Sequence, residues 1–288
     1  MVVQGQQQRR RYGRGFPVAP VVAPVVAPVV AVVVAVTAGG CSGPAGASPG
    51  ADAGAAAAAV REAPDALARA GTSKARTSME MATGGTRVTI RGEGAYDFAA
   101  RHGQLKVVLP KDAAGGSRHR PITELLAPGA LYMKNRGAGV PADKWVRVDT
   151  TTLADGNLVT GGATDPAAAA ELLRGAERVT YVGEEELAGV PVTHYRGVTD
   201  LGRAARAASP QVRGALAAAA KGFAKDAVPF DAYLDREGRL RKVRHRFSFT
   251  NEGRTVAVAS TTLLYDFGVP VVVRLPPRKD IYAGKIEA

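Results

Sequence analysis

Residues 228–250 read VPFDAYLDREGRLRKVRHRFSFT, and the alternation on either side of one turn decides the kind of fold. In the second limb Val243, His245, Phe247 and Phe249 share one face, while Lys242, Arg244 and Arg246 share the other. A period of two, with one apolar and one charged face, is the pattern of an antiparallel strand buried on one side. Asp235 to Gly238 supplies the turn residues between the limbs, so the stretch reads as a hairpin.

The same period recurs along the chain. In RVTIRGEGAYDF (87–98) the apolar Val88, Ile90, Tyr96 and Phe98 fall at even positions, and Arg87, Thr89, Arg91, Glu93 and Asp97 at odd ones. Gly92 and Gly94 mark a bend or a close backbone approach within it. GQLKVVLP (103–110), ALYMKN (130–135), KWVRVD (144–149), ERVTYVGEEEL (177–187), VPVTHYRGVTDL (190–201) and TVAVASTTLLYDF (255–267) read as further strands. TDPAAAAELLRGA (164–176) reads as a helix, with Asp165 as cap, Pro166 in its first turn and Gly175 as its stop. A longer alanine-rich helix over 202–227 is interrupted at Pro210. No internal repeat is visible at propeller or solenoid periods. The order predicts an α+β domain: a large curved antiparallel sheet of about ten strands, with helices against one face.

The amino-terminal region has a different character. Four arginines (Arg9, Arg10, Arg11, Arg14) precede an uncharged apolar stretch, Val18 to Ala38, followed by Gly39-Gly40 and Cys41, the single cysteine of the 288 residues. Basic end, apolar middle and small residues are the layout of a secretory signal. A membrane-spanning helix competes, because the stretch just reaches the length of about 20 residues that a span needs. Against it, Pro20, Pro24 and Pro28 interrupt the first half. The Pro-Val-Val-Ala repeat also permits a polyproline spacer. One cysteine cannot form an intramolecular disulfide. Ala38-Gly39-Gly40-Cys41 resembles a bacterial lipobox, which implies cleavage before Cys41 and a diacylglyceryl-modified amino terminus. Arg9 to Phe16 distantly resembles a twin-arginine export signal without its usual hydrophobic pair. The expectation is a signal over 1–40, a flexible Gly/Ala/Ser/Pro tether over 41–62, and a folded domain over 63–288. Its first helix would open at Pro64 and stop at Gly71. The chain would be lipid-anchored at the extracytoplasmic face of the cell membrane.

The formal net charge is +12, which suits anionic lipid or cell-wall surfaces. No recognition motif or aromatic-rich basic cluster points to nucleic acid. Zinc-protease HExxH, SxxK and phosphate-loop patterns are absent from the sequence. The histidines, His102, His119, His194 and His245, lack metal-ligand spacing; His194 and His245 read as polar tips on strands. The carboxylate run Glu184 to Glu186 reads as a solvated turn. No enzyme activity, metal or cofactor is expected.

YVGEEELAGVPVTHYRGVTDL (181–201), VPFDAYLDREGRLRKVRHRF (228–247) and LLYDFGVPVVVRLPP (263–277) resemble the actinobacterial lipoproteins of the LppX/LprG type, over roughly residues 63–288. That resemblance implies a LolA/LolB-like half-barrel with helices on its concave face. It also implies non-covalent binding, with possible transfer, of an acylated lipid or glycolipid in a cavity between sheet and helices. No specific protein partner is implied. The same fold also serves as a non-enzymatic sensing or protein-interaction module, which stands as the alternative.

Val88, Ile90, Leu105, Val107, Leu131, Met133, Val146, Val148, Val243 and Phe247 are the candidates to line such a cavity. A tight core made of the same residues is the other reading. The basic row Lys242, Arg244 and Arg246 is the candidate surface for anionic headgroups, against a plain solvated sheet face.

Overall fold

In the computed structural model the described residues are 49–83, 85–110, 120–137, 139–159, 163–223, 225–251 and 254–284. The signal expectation, Cys41 and His119 lie outside them. Eleven strands form one antiparallel sheet: β1 (Thr72–Thr83), β2 (Thr86–Asp97), β3 (His102–Val108), β4 (Ile122–Ala127), β5 (Ala130–Lys134), β6 (Trp145–Asp149), β7 (Ala176–Leu187), β8 (Val190–Asp200), β9 (Ala227–Leu234), β10 (Leu240–Asn251) and β11 (Arg254–Tyr265). Four helices accompany them: α1 (Pro49–Ala70), α2 (Pro166–Glu171), α3 (Leu201–Ala207) and α4 (Pro210–Gly222).

The strand order is β6-β5-β4-β3-β2-β1-β11-β10-β9-β8-β7. Two meanders, β1 to β6 and β7 to β11, are therefore zipped together where β1 pairs with β11, Thr77 opposite Thr262. The sheet stays open, an α+β half-barrel with its helices packed on one face.

The hairpin forms as its alternation dictates. Asp235 closes it by accepting the Gly238 amide on its carbonyl at 2.9 Å and the Arg239 amide and Nε on its carboxylate at 2.9 and 2.8 Å. The close approach expected at the β2 glycines is present. A Cβ on Gly94 would collide with the Gln104 carbonyl of the neighbouring strand, and one on Gly92 would meet Thr77 Oγ1. Asp165 caps α2, accepting the Ala167 amide at 2.7 Å, and Pro210 divides α3 from α4.

Two strands go beyond those read from the sequence: β1, whose buried positions include the polar Ser73 and Thr77, and β4, which does not alternate because Glu124, Leu125 and Leu126 are all buried. The tether expectation is corrected over residues 49–62. They belong to α1, a 22-residue helix that carries Pro64 in its interior rather than in its first turn. Alanine is the strongest helix former, and α1 gains tertiary support by burying Val60, Ala63 and Leu67 completely. Gly71, at φ +80°, does end the helix, donating its amide to the Leu67 carbonyl at 3.1 Å.

The helices meet in a polar clasp. Arg174 bonds Asp65 of α1 at 2.6 and 2.9 Å and Glu171 of α2 at 2.7 Å. Glu171 also accepts from Arg101 at 3.1 Å and from the Ser209 amide at 3.1 Å. Burial would push the Glu171 carboxyl up, but these donors outweigh it and hold it below its ordinary value.

Candidate functional site

The largest recess lies between the first half of α1 and the β7–β8 corner. Arg61 fixes the helix to the sheet there, donating to the Ala176 carbonyl from Nε at 2.9 Å and Nη2 at 2.6 Å. Toward the amino terminus from that tie, α1 presents only Asp52 and the small side chains of Ala53, Ala55, Ala56 and Ala59. They leave a groove of about 800 Å³ against Val179, Thr180 and Tyr181 of β7 and Tyr195 of β8.

β7 breaks register with β8 between Glu177 and Thr180 and again between Tyr181 and Gly183. Bulges of this kind re-aim side chains, and here Tyr181 stands 55% exposed. Its ring meets Tyr195 edge-on, with centroids 6.3 Å apart. Burial, reinforced by Tyr181, raises the Tyr195 phenol above its ordinary value, so the Tyr195 ring is neutral at physiological pH. The groove thus has an apolar floor, two aromatic walls and one carboxylate at its rim. That composition suits an apolar chain with a polar end. A second cavity, beside Tyr96, Arg101 and Asp165, measures about 30 Å³, room for one or two waters.

The ten side chains expected to line a cavity all belong to one packed core or lie against it. Eight are buried in a common core, and Val88 and Val148 pack against it half-buried. None of them borders either recess. The sheet interior is filled by α2, the turn that follows it, α3 and α4, with Leu172, Leu201 and Leu216 fully buried. The groove was missed in the sequence because its floor was read as tether. The available signal was the unbroken run Ala55 to Ala59, free of Gly and Pro.

The basic row of β10 does share one face, and its two arginines are paired with carboxylates. Arg246 bonds Asp231 at 2.7 Å, Arg244 reaches Glu80 at 3.3 Å, and Lys242 lies over the Tyr233 ring at 4.6 Å. Asp231 also takes Arg196 and His194 Nε2, each at 3.0 Å. Its burial alone would raise its carboxyl, yet the donors bring it down to about 2.

Glu184 to Glu186 are exposed strand residues of β7 rather than a turn, and the Glu185 carboxylate accepts from His194 Nδ1 at 2.9 Å. His245 is not a polar tip. It is 1% exposed on the helix-facing side, and burial lowers its imidazole to about 3, leaving it neutral. Among the described residues no group of three or more His, Cys, Asp or Glu side chains could hold a metal ion, and no helix is long and apolar enough to cross a membrane.

An open antiparallel half-barrel with helices across one face defines the class of domain. Within it, the chain is similar to the lipoprotein LppX of Mycobacterium tuberculosis, at TM-score 0.43 and 11% identity over 77% of this chain and 99% of that one. It is similar also to LprF of Mycobacterium bovis, at 0.38 and 12% over 77% and 97%. A LolA superfamily protein of Nitrosomonas europaea matches at 0.34 and 11% over 75% and 94%. No family model matches the sequence, and no curated protein does.

Proposed function

We propose that this chain is an exported lipoprotein, anchored through Cys41, that binds and carries an acylated lipid or glycolipid without covalent chemistry. The groove of about 800 Å³ between the alanine face of α1 and the tyrosine pair is the observation that carries the reading. Its volume is that of a small-molecule site, and an acyl chain laid in it gains about 0.8 kcal/mol for each buried methylene. Asp52 and the Tyr181 and Tyr195 hydroxyls stand where a polar headgroup would emerge.

The test is mass spectrometry of lipids that co-purify with the Cys41→Ser protein from its native host, compared with the Ala59→Trp variant of the same chain. Tryptophan at this half-buried position fills the groove from the helix side, so recovered lipid falls at least tenfold while the melting temperature holds. Equal recovery from both proteins places the lipid elsewhere, and recovery from neither removes the carrier reading. The closely filled sheet interior favours the second reading in that event, a module whose groove takes a segment of a partner protein.

A further inference from the structure

The chain beyond β11 crosses the sheet as a strap. At its start Gly268 donates to the Thr72 carbonyl at 2.9 Å, and Thr72 Oγ1 donates to the Val269 carbonyl at 2.7 Å. At its end Ile281 bridges the edge strand at Trp145, and the Tyr282 amide donates to the Trp145 carbonyl at 2.8 Å. Lys144 Nζ adds a bond to the Lys279 carbonyl at 3.0 Å. The strap is thus held at β1 and at β6, on opposite sides of the first meander.

Between these ties it runs extended and alternates. Val269, Val271 and Val273 are half-buried, whereas Pro270, Val272 and Arg274 point away. Val272 is 75% exposed, the most exposed of the large hydrophobic side chains among the described residues, and Leu275, three residues on, is 40% exposed. Between strap and sheet lies a groove of about 460 Å³ bordered by Lys74 and Lys106.

The charges beside these apolar residues are not neutralised. On the sheet Arg76, Arg196, Arg244 and Arg246 are each paired with a carboxylate and Lys74 with Asp266, whereas Lys106, Arg147 and Lys242 have no carboxylate partner among the described residues. Arg274, Arg278 and the Lys279 ammonium have no carboxylate partner among the described residues. Asp280 is the one acid within the strap from 268 to 282.

We infer that the strap is a docking surface for an anionic bilayer. Val272 and Leu275 enter the headgroup boundary, and Arg274, Arg278 and Lys279 meet lipid phosphates. Exposed aliphatic residues flanked by unneutralised cations match such a membrane in both polarity and charge. On β10, by contrast, Arg244 and Arg246 are already engaged by Glu80 and Asp231.

The full chain suits the test, because with Cys41→Ser it contains no cysteine and Val272→Cys then supplies a single labelling site. An environment-sensitive fluorophore there shifts to the blue on adding phosphatidylglycerol-containing vesicles and is quenched by spin-labelled acyl chains. A label at Val182→Cys on β7 does neither. Pure phosphatidylcholine gives no shift. Arg274→Gln, Arg278→Gln and Lys279→Gln each weaken the response about fivefold, and together on the order of a hundredfold. Arg244→Gln leaves it unchanged. A label at 272 that stays in water while the protein sediments with the vesicles overturns the inference. So does a response indifferent to the three charges, whereas a response equal at 182 shows that the amino-terminal apolar stretch alone holds the chain to the bilayer.

Discussion

At the scale of single residues, the position under most tension is Glu124. It sits in β4 opposite Leu105 on one side and Met133 on the other, fully buried, with neither carboxylate oxygen hydrogen-bonded. Burial raises its carboxyl from 4.5 to about 8, against a smaller opposing pull from Arg136. The folded protein therefore holds a proton that the unfolded chain releases above pH 4.5. Stability falls as pH climbs from there, and the loss levels off near pH 8 at a total on the order of 3–5 kcal/mol. Glu124→Gln keeps the shape and cannot ionise. Its urea midpoint should match wild type at pH 4.5 and exceed it at pH 9. If both proteins lose equal stability across that interval, the carboxyl is not what titrates.

At the scale of elements, α1 owes its place to tertiary contacts that composition alone does not announce. Its amino-terminal half is Ala, Gly and Asp, the vocabulary of a linker, and only its burial against β7 makes it a wall of the groove. The hairpin at 228–250 was legible because alternation and turn chemistry agree there. Ile122–Ala127 was not, because three consecutive buried residues erase the period of two. The groove was illegible for a related reason: its aromatic wall depends on two bulges in β7, and bulges follow from pairing rather than from sequence period. The clasp at Arg174 is where α1 can be tested. Arg174→Met leaves Glu171, 1% exposed, with Arg101 and the Ser209 amide as its remaining partners. The expected loss is about 2–3 kcal/mol, less than for a buried charge stripped of all partners. Adding Glu171→Gln should restore most of it in chemical denaturation. A double variant no better than the single one would show that Arg174 acts through packing alone.

At the scale of the whole sheet, the open half-barrel leaves two strand edges, and each unpaired row of amides invites another chain. The edge at β7 is guarded by its own sequence, with two register breaks and the exposed acids Glu184, Glu185 and Glu186. β6, five residues long, carries neither a bulge nor an acid run, and the strap covers it instead through Ile281 and Tyr282. This arrangement makes the strap a protector of the edge as well as a surface, and the two roles separate by position. Val272 and Leu275 are exposed, whereas Ile281 pairs with β6. A chain ending at Pro277, or the variant Ile281→Pro in the full chain, uncovers the edge. Light scattering should then show concentration-dependent assembly that wild type does not show. Trp145, the only tryptophan, reports the same event directly, since it loses the cover of Ile281 and Tyr282 and its emission moves to the red before any assembly begins. Unchanged Trp145 emission in the Ile281→Pro protein, together with an unchanged monomer, would mean that β6 is guarded by its shortness alone.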